Sequence, residues 1–175
     1  YGNNAQGKTN ILEAIYISAI GKSYRTNKDK ELIKENCDFA KVQTEFSKKD
    51  RKGKISVNIS DKKELLVNEI KLKKMSEVLG NVNVVLFNPD DINIFKESPS
   101  RRRKIIDIII SQLRPSYVYN LNMYSKVLEQ RNNYLKQIKY DGKPEEMLEI
   151  WEIKLADYSH IINLYRKEFV EKIKK

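Results

Sequence analysis

Gly2-Asn3-Asn4-Ala5-Gln6-Gly7-Lys8-Thr9 decides the reading of this sequence. It fills every specified position of the P-loop pattern: Gly, four free residues, then Gly-Lys-Thr. Such a loop turns its backbone N–H groups inward, and the helix that follows points its N-terminus at the same spot. Together they hold the β-phosphate of a nucleotide. Lys8 brings a point charge to the β- and γ-phosphates. Thr9 offers a hydroxyl to Mg²⁺, which keeps most of its other ligands as water and phosphate oxygen. Four specified positions recur by chance in on the order of one chain in a hundred or fewer.

Downstream of the loop, Ile11, Leu12, Ile15, Tyr16 and Ala19 recur at helical spacing, so residues 8–20 read as a helix with one buried face, ended by Gly21. A helical pattern so placed is the context a P-loop needs. Residues 22–36 are polar, with a short helical pattern near 31–34. Residues 39–46 and 54–59 alternate apolar and polar side chains, with a charged turn over 48–53 between them. Further short strands are expected at 65–67 and 69–72, giving an antiparallel set, then a short helix at 75–79. Residues 82–87 form a compact apolar run and are expected to be a strand buried on both faces.

From Ser98 onward the pattern is helical. Ser98 suits a cap and Pro99 a first helical position. Pro115 opens a second helix, and Asp141-Gly142-Lys143-Pro144 turns the chain into a third, striped by Met147, Leu148, Trp151, Leu155, Tyr158, Ile162, Tyr165 and Phe169. The last two are expected to form an antiparallel helical hairpin. The fold class is therefore α/β (α+β), with residues 1–95 as a partial P-loop lobe and 96–175 as a partial helical lobe.

The 175 residues carry 34 basic and 24 acidic side chains, a net charge of +10. Residues 1–95 hold 17 basic and 13 acidic groups, and 96–175 hold 17 and 11, so both lobes are positive. This balance favours a polyanionic partner. With 33% charged residues, the composition excludes collagen-like and disulfide-scaffold chains, and no apolar run reaches the roughly 20 residues of a membrane helix. A single cysteine, Cys37, permits no internal disulfide and favours a reducing, cytoplasmic setting. The chain starts at Tyr1 with its loop already under way and ends at Lys175 inside a helical pattern, which predicts a piece of a longer protein.

Three further features carry alternatives. Asn88-Pro89-Asp90-Asp91 follows the apolar run. Asp90 or Asp91 would be the metal-holding acid of a small P-loop kinase, or a helix-capping acid, which the intervening Asn88 and Pro89 favour. Arg101, Arg102, Arg103 and Lys104 crowd the first turns of a helix, where the dipole disfavours cations. Arg103 is expected to pair with Asp107. The others face phosphate or an interface, or form a solvated basic face. His160 stands alone, and the tyrosines at 117, 119, 124, 134, 140, 158 and 165 are expected to pack the helices rather than stack bases.

Gly-x-Asn-x-x-Gly-Lys-Thr-Asn, from Gly2 to Asn10, running into Ile11-Leu12-Glu13-Ala14-Ile15-Tyr16, resembles the P-loop of the RecF family, within the SMC-like, ABC-type ATPases. Gly21-Lys22-Ser23-Tyr24-Arg25-Thr26 resembles that family's Gly-Arg-Ser-His-Arg-Thr segment, with Lys22 for Arg and Tyr24 for His. Val84 to Ile92, then Ser98-Pro99, Arg101-Arg102-Arg103, Asp107 and Ser111-Gln112, resemble its central block. Residues 124–132 and 151–162 resemble its next helices.

The resemblance implies an ABC-type ATPase lobe and a helical lobe, with ATP and Mg²⁺ as cofactors and an ATP-dependent homodimer. It implies binding to single-stranded and double-stranded DNA at gap junctions, and RecA loading with RecO and RecR, in DNA replication, repair and the SOS response. The nucleotide-binding set would be Gly2, Asn3, Asn4, Ala5, Gln6, Gly7, Lys8, Thr9 and Asn10, with Arg25 able to approach the phosphates. Thr9 would reach Mg²⁺, and Arg101, Arg102 and Arg103 would serve DNA or an interface. In this family the signature loop and Walker B acids lie in the second half of the protein. No catalytic residue is therefore assigned here, and Phe87 to Asp91 would lie near the nucleotide instead. The rival readings are a small P-loop kinase or NTPase, and a non-catalytic basic nucleic-acid-binding module.

Overall fold

In a computed structural model, which describes residues 2–3, 5–48, 51–87, 92, 96 and 98–174, Lys8–Ile20 forms helix α1. Gly21, in the left-handed conformation, ends it by donating its N–H to the Ile17 carbonyl at 2.7 Å. The buried side of α1 is its C-terminal half, with Tyr16, Ile17, Ser18 and Ala19. Ile11 and Leu12, expected on the buried face, are 62% and 52% exposed. No described element covers the side of α1 on which they stand, so helical periodicity alone does not bury them.

Four strands follow in an antiparallel meander: β1 (Ala40–Lys48), β2 (Arg51–Ile59), β3 (Lys63–Val67) and β4 (Ile70–Lys71). Alternation along β2 turns Ile55, Val57 and Ile59 into the core, where they meet Ile17 of α1, Leu65 of β3 and Val78. The Ser18 and Thr44 hydroxyls, 2.7 Å apart, fasten α1 to β1. The hairpin between β1 and β2 is tighter than the charged stretch predicts. The ladder runs out to Lys48 opposite Arg51, so Gly53 lies inside β2 opposite Phe46. A Cβ on Gly53 would stand 2.3 Å from the Phe46 ring, so the ring needs a glycine beneath it.

The short helical patterns near 31–34 and 75–79 are single 3-10 turns, at Asp29–Leu32 and Met75–Val78. Residues 82–87 are not the expected strand. A lone parallel bridge joins Leu79 to Val82, and Val85 and Phe87 are 91% and 74% exposed. An apolar run becomes a strand only where a neighbour takes its backbone groups. Among the described residues the run's one ladder pairing is that bridge at Val82. Asn88, Pro89, Asp90 and Asp91 lie outside the described residues.

The chain divides into two units, Tyr1–Glu97 and Ser98–Lys175. The second contains α2 (Pro99–Leu113), α3 (Pro115–Asp141) and α4 (Leu148–Ile173). Pro115 forces Arg114 out of helical geometry and so separates α2 from α3. Ser98 sits at the N-cap of α2, but its hydroxyl meets the Ser100 hydroxyl at 2.7 Å instead of capping a backbone N–H. α3 and α4 form an antiparallel hairpin: Tyr117 packs edge-on against Tyr165, and farther along Tyr134 packs on Trp151. Ile110, Tyr117 and Ile162 are the buried centre, with Tyr124, Tyr165 and Phe169 against them. These tyrosines pack, as expected, whereas Tyr119 and Tyr140 are exposed. Arg103 does not take Asp107. Arg166 of α4 does, because its planar guanidinium matches the carboxylate with two bonds of 2.9 Å. Among the described residues no helix is long and apolar enough to cross a membrane.

Candidate nucleotide-binding site

The loop before α1 turns sharply at two described positions. Ala5 (φ 64°) and Gly7 (φ 77°) both lie in the left-handed region, which folds the chain tightly ahead of the helix. The Gly7 carbonyl accepts the first helical bond, from the Ile11 N–H at 3.1 Å. No side chain caps this end of α1, and its first turn carries no acidic residue. The first-turn N–H groups and the positive end of the helix dipole therefore face an exposed loop with no carboxylate competing for them.

Lys8 folds back over the loop and donates its ammonium to the carbonyls of Gly2 and Asn3. Gly2, Asn3, Gln6, Lys8, Thr9 and Asn10 are exposed, and a Cβ at Gly2 or Gly7 would meet nothing within 4 Å. Asn4 lies outside the described residues. This donor set fits a phosphate chain: helix-end amides, an ammonium resting on loop carbonyls, and a hydroxyl at Thr9.

Arg25 is drawn to the same helix. Its Nη1 donates to Glu13 Oε2 at 3.0 Å and to Asn10 Oδ1 at 3.4 Å. Glu13, one turn beyond Asn10, is buried at 8% exposure, and its other oxygen accepts the Ser23 hydroxyl. Ser23 Oγ in turn accepts the N–H groups of Arg25 (2.9 Å) and Thr26 (3.2 Å). Tyr24 lies edge-on against Tyr16, ring centres 5.4 Å apart, so the segment after α1 is held at several points. Farther on, the Thr26 hydroxyl donates to Glu31 and, with Lys28 nearby, lowers that carboxyl's pKa below its ordinary value, against a smaller opposing effect of desolvation.

The structure thus brings Arg25 to Asn10, in the same first turn of α1 as Lys8 and Thr9. Arg101, Arg102 and Arg103 belong to the other unit, on the first turns of α2. Glu13 and Ser23 stand within the quoted motifs, but the sequence alone assigned them no role in the site. The available signal was an acid between Leu12 and Ala14, inside an otherwise apolar helix.

No protein-family model matches the chain. Among curated proteins, the DNA replication and repair protein RecF of Acetivibrio thermocellus is 44% identical over 175 residues, covering 99% of this chain and 47% of its own length. RecF of Ruminiclostridium cellulolyticum is 44% identical over 172 residues, covering 97% of this chain and 46% of its own. The chain thus spans about half the length of the curated relatives it matches. Two solved structures of the recombination mediator protein RecF in the RecFOR pathway, RecF-ATP and RecF-ATPrS, are similar to it with TM-scores of 0.93 and 0.91. Both are 42% identical to this chain and cover 99% of it and 48% of their own. Along essentially its whole length, and in its α/β architecture, the chain is thus similar to about half of a RecF protein.

Proposed function

We propose that this chain supplies the ATP-gripping portion and part of the helical lobe of a RecF-type DNA replication and repair ATPase. The observation that carries the reading is the uncapped, acid-free N-terminus of α1 behind the Gly7-Lys8-Thr9 loop. The names of the relatives, DNA replication and repair protein, and the solved RecF-ATP structure support it.

In this reading, Gly2 to Asn10 wrap the phosphates. The N–H groups at the start of α1 hold the β-phosphate. Lys8 exchanges the carbonyls of Gly2 and Asn3 for phosphate oxygens, trading neutral acceptors for charged ones. Thr9 presents its hydroxyl to Mg²⁺, and Arg25 adds a second cation at the flank. ATP with Mg²⁺ supplies the triphosphate charge that gates pairing of two copies. Residues 1–95 form part of the ATPase lobe and 96–175 part of the helical lobe. The acids for hydrolysis are supplied by other parts of the full-length protein, so this portion binds rather than hydrolyses.

The net charge of +10 favours DNA through counterion release, with Arg101, Arg102 and Arg103 among the phosphate contacts or at an interface. The full-length protein acts at single-strand gaps, with RecO and RecR, to load RecA in the cytoplasm. The test is titration of the full-length protein with a fluorescent ATP analogue and Mg²⁺, followed by mass measurement in solution. Saturable binding with a doubling of mass is expected. Failure of the wild type to bind ATP overturns the reading.

A further inference from the structure

We infer that Glu13 is a positioning residue for the phosphate site: its buried carboxylate holds the Arg25 guanidinium against the first turns of α1. The inference rests on the nucleotide reading above. A carboxylate at 8% exposure must be partnered, because burying it alone is costly. Glu13 divides its two oxygens. One accepts the Ser23 hydroxyl, and the other accepts Arg25 Nη1 at 3.0 Å.

The Ser23 hydroxyl is fully used. It donates to Glu13 and accepts the N–H groups of Arg25 and Thr26. The group that docks on Glu13 therefore also fixes the backbone from which Arg25 projects. Glu13 grips Arg25 twice, directly at the guanidinium and indirectly through that backbone.

The grip leaves Arg25 able to bind an anion. Among the described residues its guanidinium is held through Nη1, by Glu13 and Asn10, and the side chain is 51% exposed. A guanidinium has five N–H donors, so its remaining edge is available for phosphate. Asn10 belongs to the first turn of α1, as do Lys8 and Thr9, so that cation stands at the helix end read as the phosphate site. Holding the arginine in place beforehand removes the ordering cost that a free side chain would incur on binding. A second cation there favours ATP over ADP, because ATP carries the greater phosphate charge.

The experiment is equilibrium anisotropy of the full-length protein with fluorescent ATP and ADP analogues, on wild type, Glu13→Gln, Arg25→Ala and the double variant. Glu13→Gln keeps the shape and an acceptor for Ser23 but removes the charge that holds Arg25. It is expected to weaken ATP binding about tenfold and ADP binding less. Arg25→Ala is expected to do the same, and the double variant to be no worse than Arg25→Ala alone, because the two act as one unit. Ser23→Ala leaves the carboxylate and is expected to give a smaller loss in the same direction, and it decides the matter where Glu13→Gln does not fold. Unchanged or tighter ATP binding in Glu13→Gln overturns the inference, tighter binding meaning that Glu13 withholds Arg25. Losses that add in the double variant overturn it too. A wild type that binds neither nucleotide overturns the underlying reading and this inference with it.

Discussion

Arg166 of α4 holds Asp107 of α2 in a fork: Nε to Oδ1 and Nη2 to Oδ2, both at 2.9 Å. The hydroxyl of the buried Tyr117, on α3, donates to the same Asp107, so three helices meet at one carboxylate. Side-chain exposures of 23% and 18% leave the pair mostly shielded from water. Removing one partner strands the other charge. Arg166→Ala is expected to lower stability by about 3 kcal/mol, and Arg166→Lys by less, since a lysine keeps the charge but loses the fork. Urea unfolding with a helix-sensitive probe checks both. A Lys variant as stable as wild type would show that the fork contributes nothing.

The same cluster gives the protein an alkaline limit. Burial, reinforced by Asp107, pushes the Tyr117 hydroxyl well above its ordinary pKa of 10.0. A raised folded pKa contributes stability that is fully present below pH 10 and is lost as pH rises from there toward the folded value. The thermal midpoint is expected to fall across that window. Tyr117→Phe removes this part of the fall, though it also leaves Asp107 one donor short and so lowers the midpoint at neutral pH. Parallel pH curves for wild type and variant would refute the assignment.

Gly53 and Phe46 make a second coupled pair. Gly53→Ala drives a Cβ to 2.3 Å from the Phe46 ring, which must swing off the sheet, at a cost of about 1–2 kcal/mol. In a Phe46→Ala background the clash is gone, and Gly53→Ala is expected to be neutral or stabilising through its effect on the unfolded chain. A thermodynamic cycle over the four proteins measures this coupling.

The two-residue turn between β3 and β4 places Asn68 (φ 50°) and Glu69 (φ 67°) in the left-handed region. Asn68 suits it, and its side chain also accepts the Lys54 N–H at 2.9 Å. Glu69 gains an exposed bond to Lys54, which lowers its carboxyl pKa. Glu69→Gly is expected to raise the thermal midpoint by a few degrees, since the relieved backbone outweighs a solvated ion pair. A fall in the midpoint would mean that the Lys54 contact dominates.

The limits of α1 were legible because Gly7 and Gly21 bracket it, and the meander because β2 alternates Ile55, Val57 and Ile59. What covers each apolar face was not legible. Periodicity reports that Ile11, Leu12, Val85 and Phe87 are apolar, but burial needs an opposing surface, and no described element supplies one. Local pairing rules also misjudged Asp107. The i,i+4 partner Arg103 is near in sequence, yet Arg166, 59 residues away, offers a bidentate match. Glu13 escaped for the same reason: its partners Ser23 and Arg25 arrive only once the chain has turned back at Gly21.

Lys8 is the residue on which the nucleotide reading turns. Its ammonium is exposed and held by the carbonyls of Gly2 and Asn3, so its removal strands no buried charge. Lys8→Ala is therefore expected to leave the thermal midpoint nearly unchanged without nucleotide. It is expected to cost at least about tenfold in ATP affinity, the loss of a charge-assisted contact. Wild type should gain thermal stability as ATP is added, by mass action, and Lys8→Ala should gain little at the same concentration. A melting series with and without ATP measures both quantities. If ATP shifts the two proteins equally, the nucleotide is held elsewhere, and the open N-terminus of α1 is not its phosphate site.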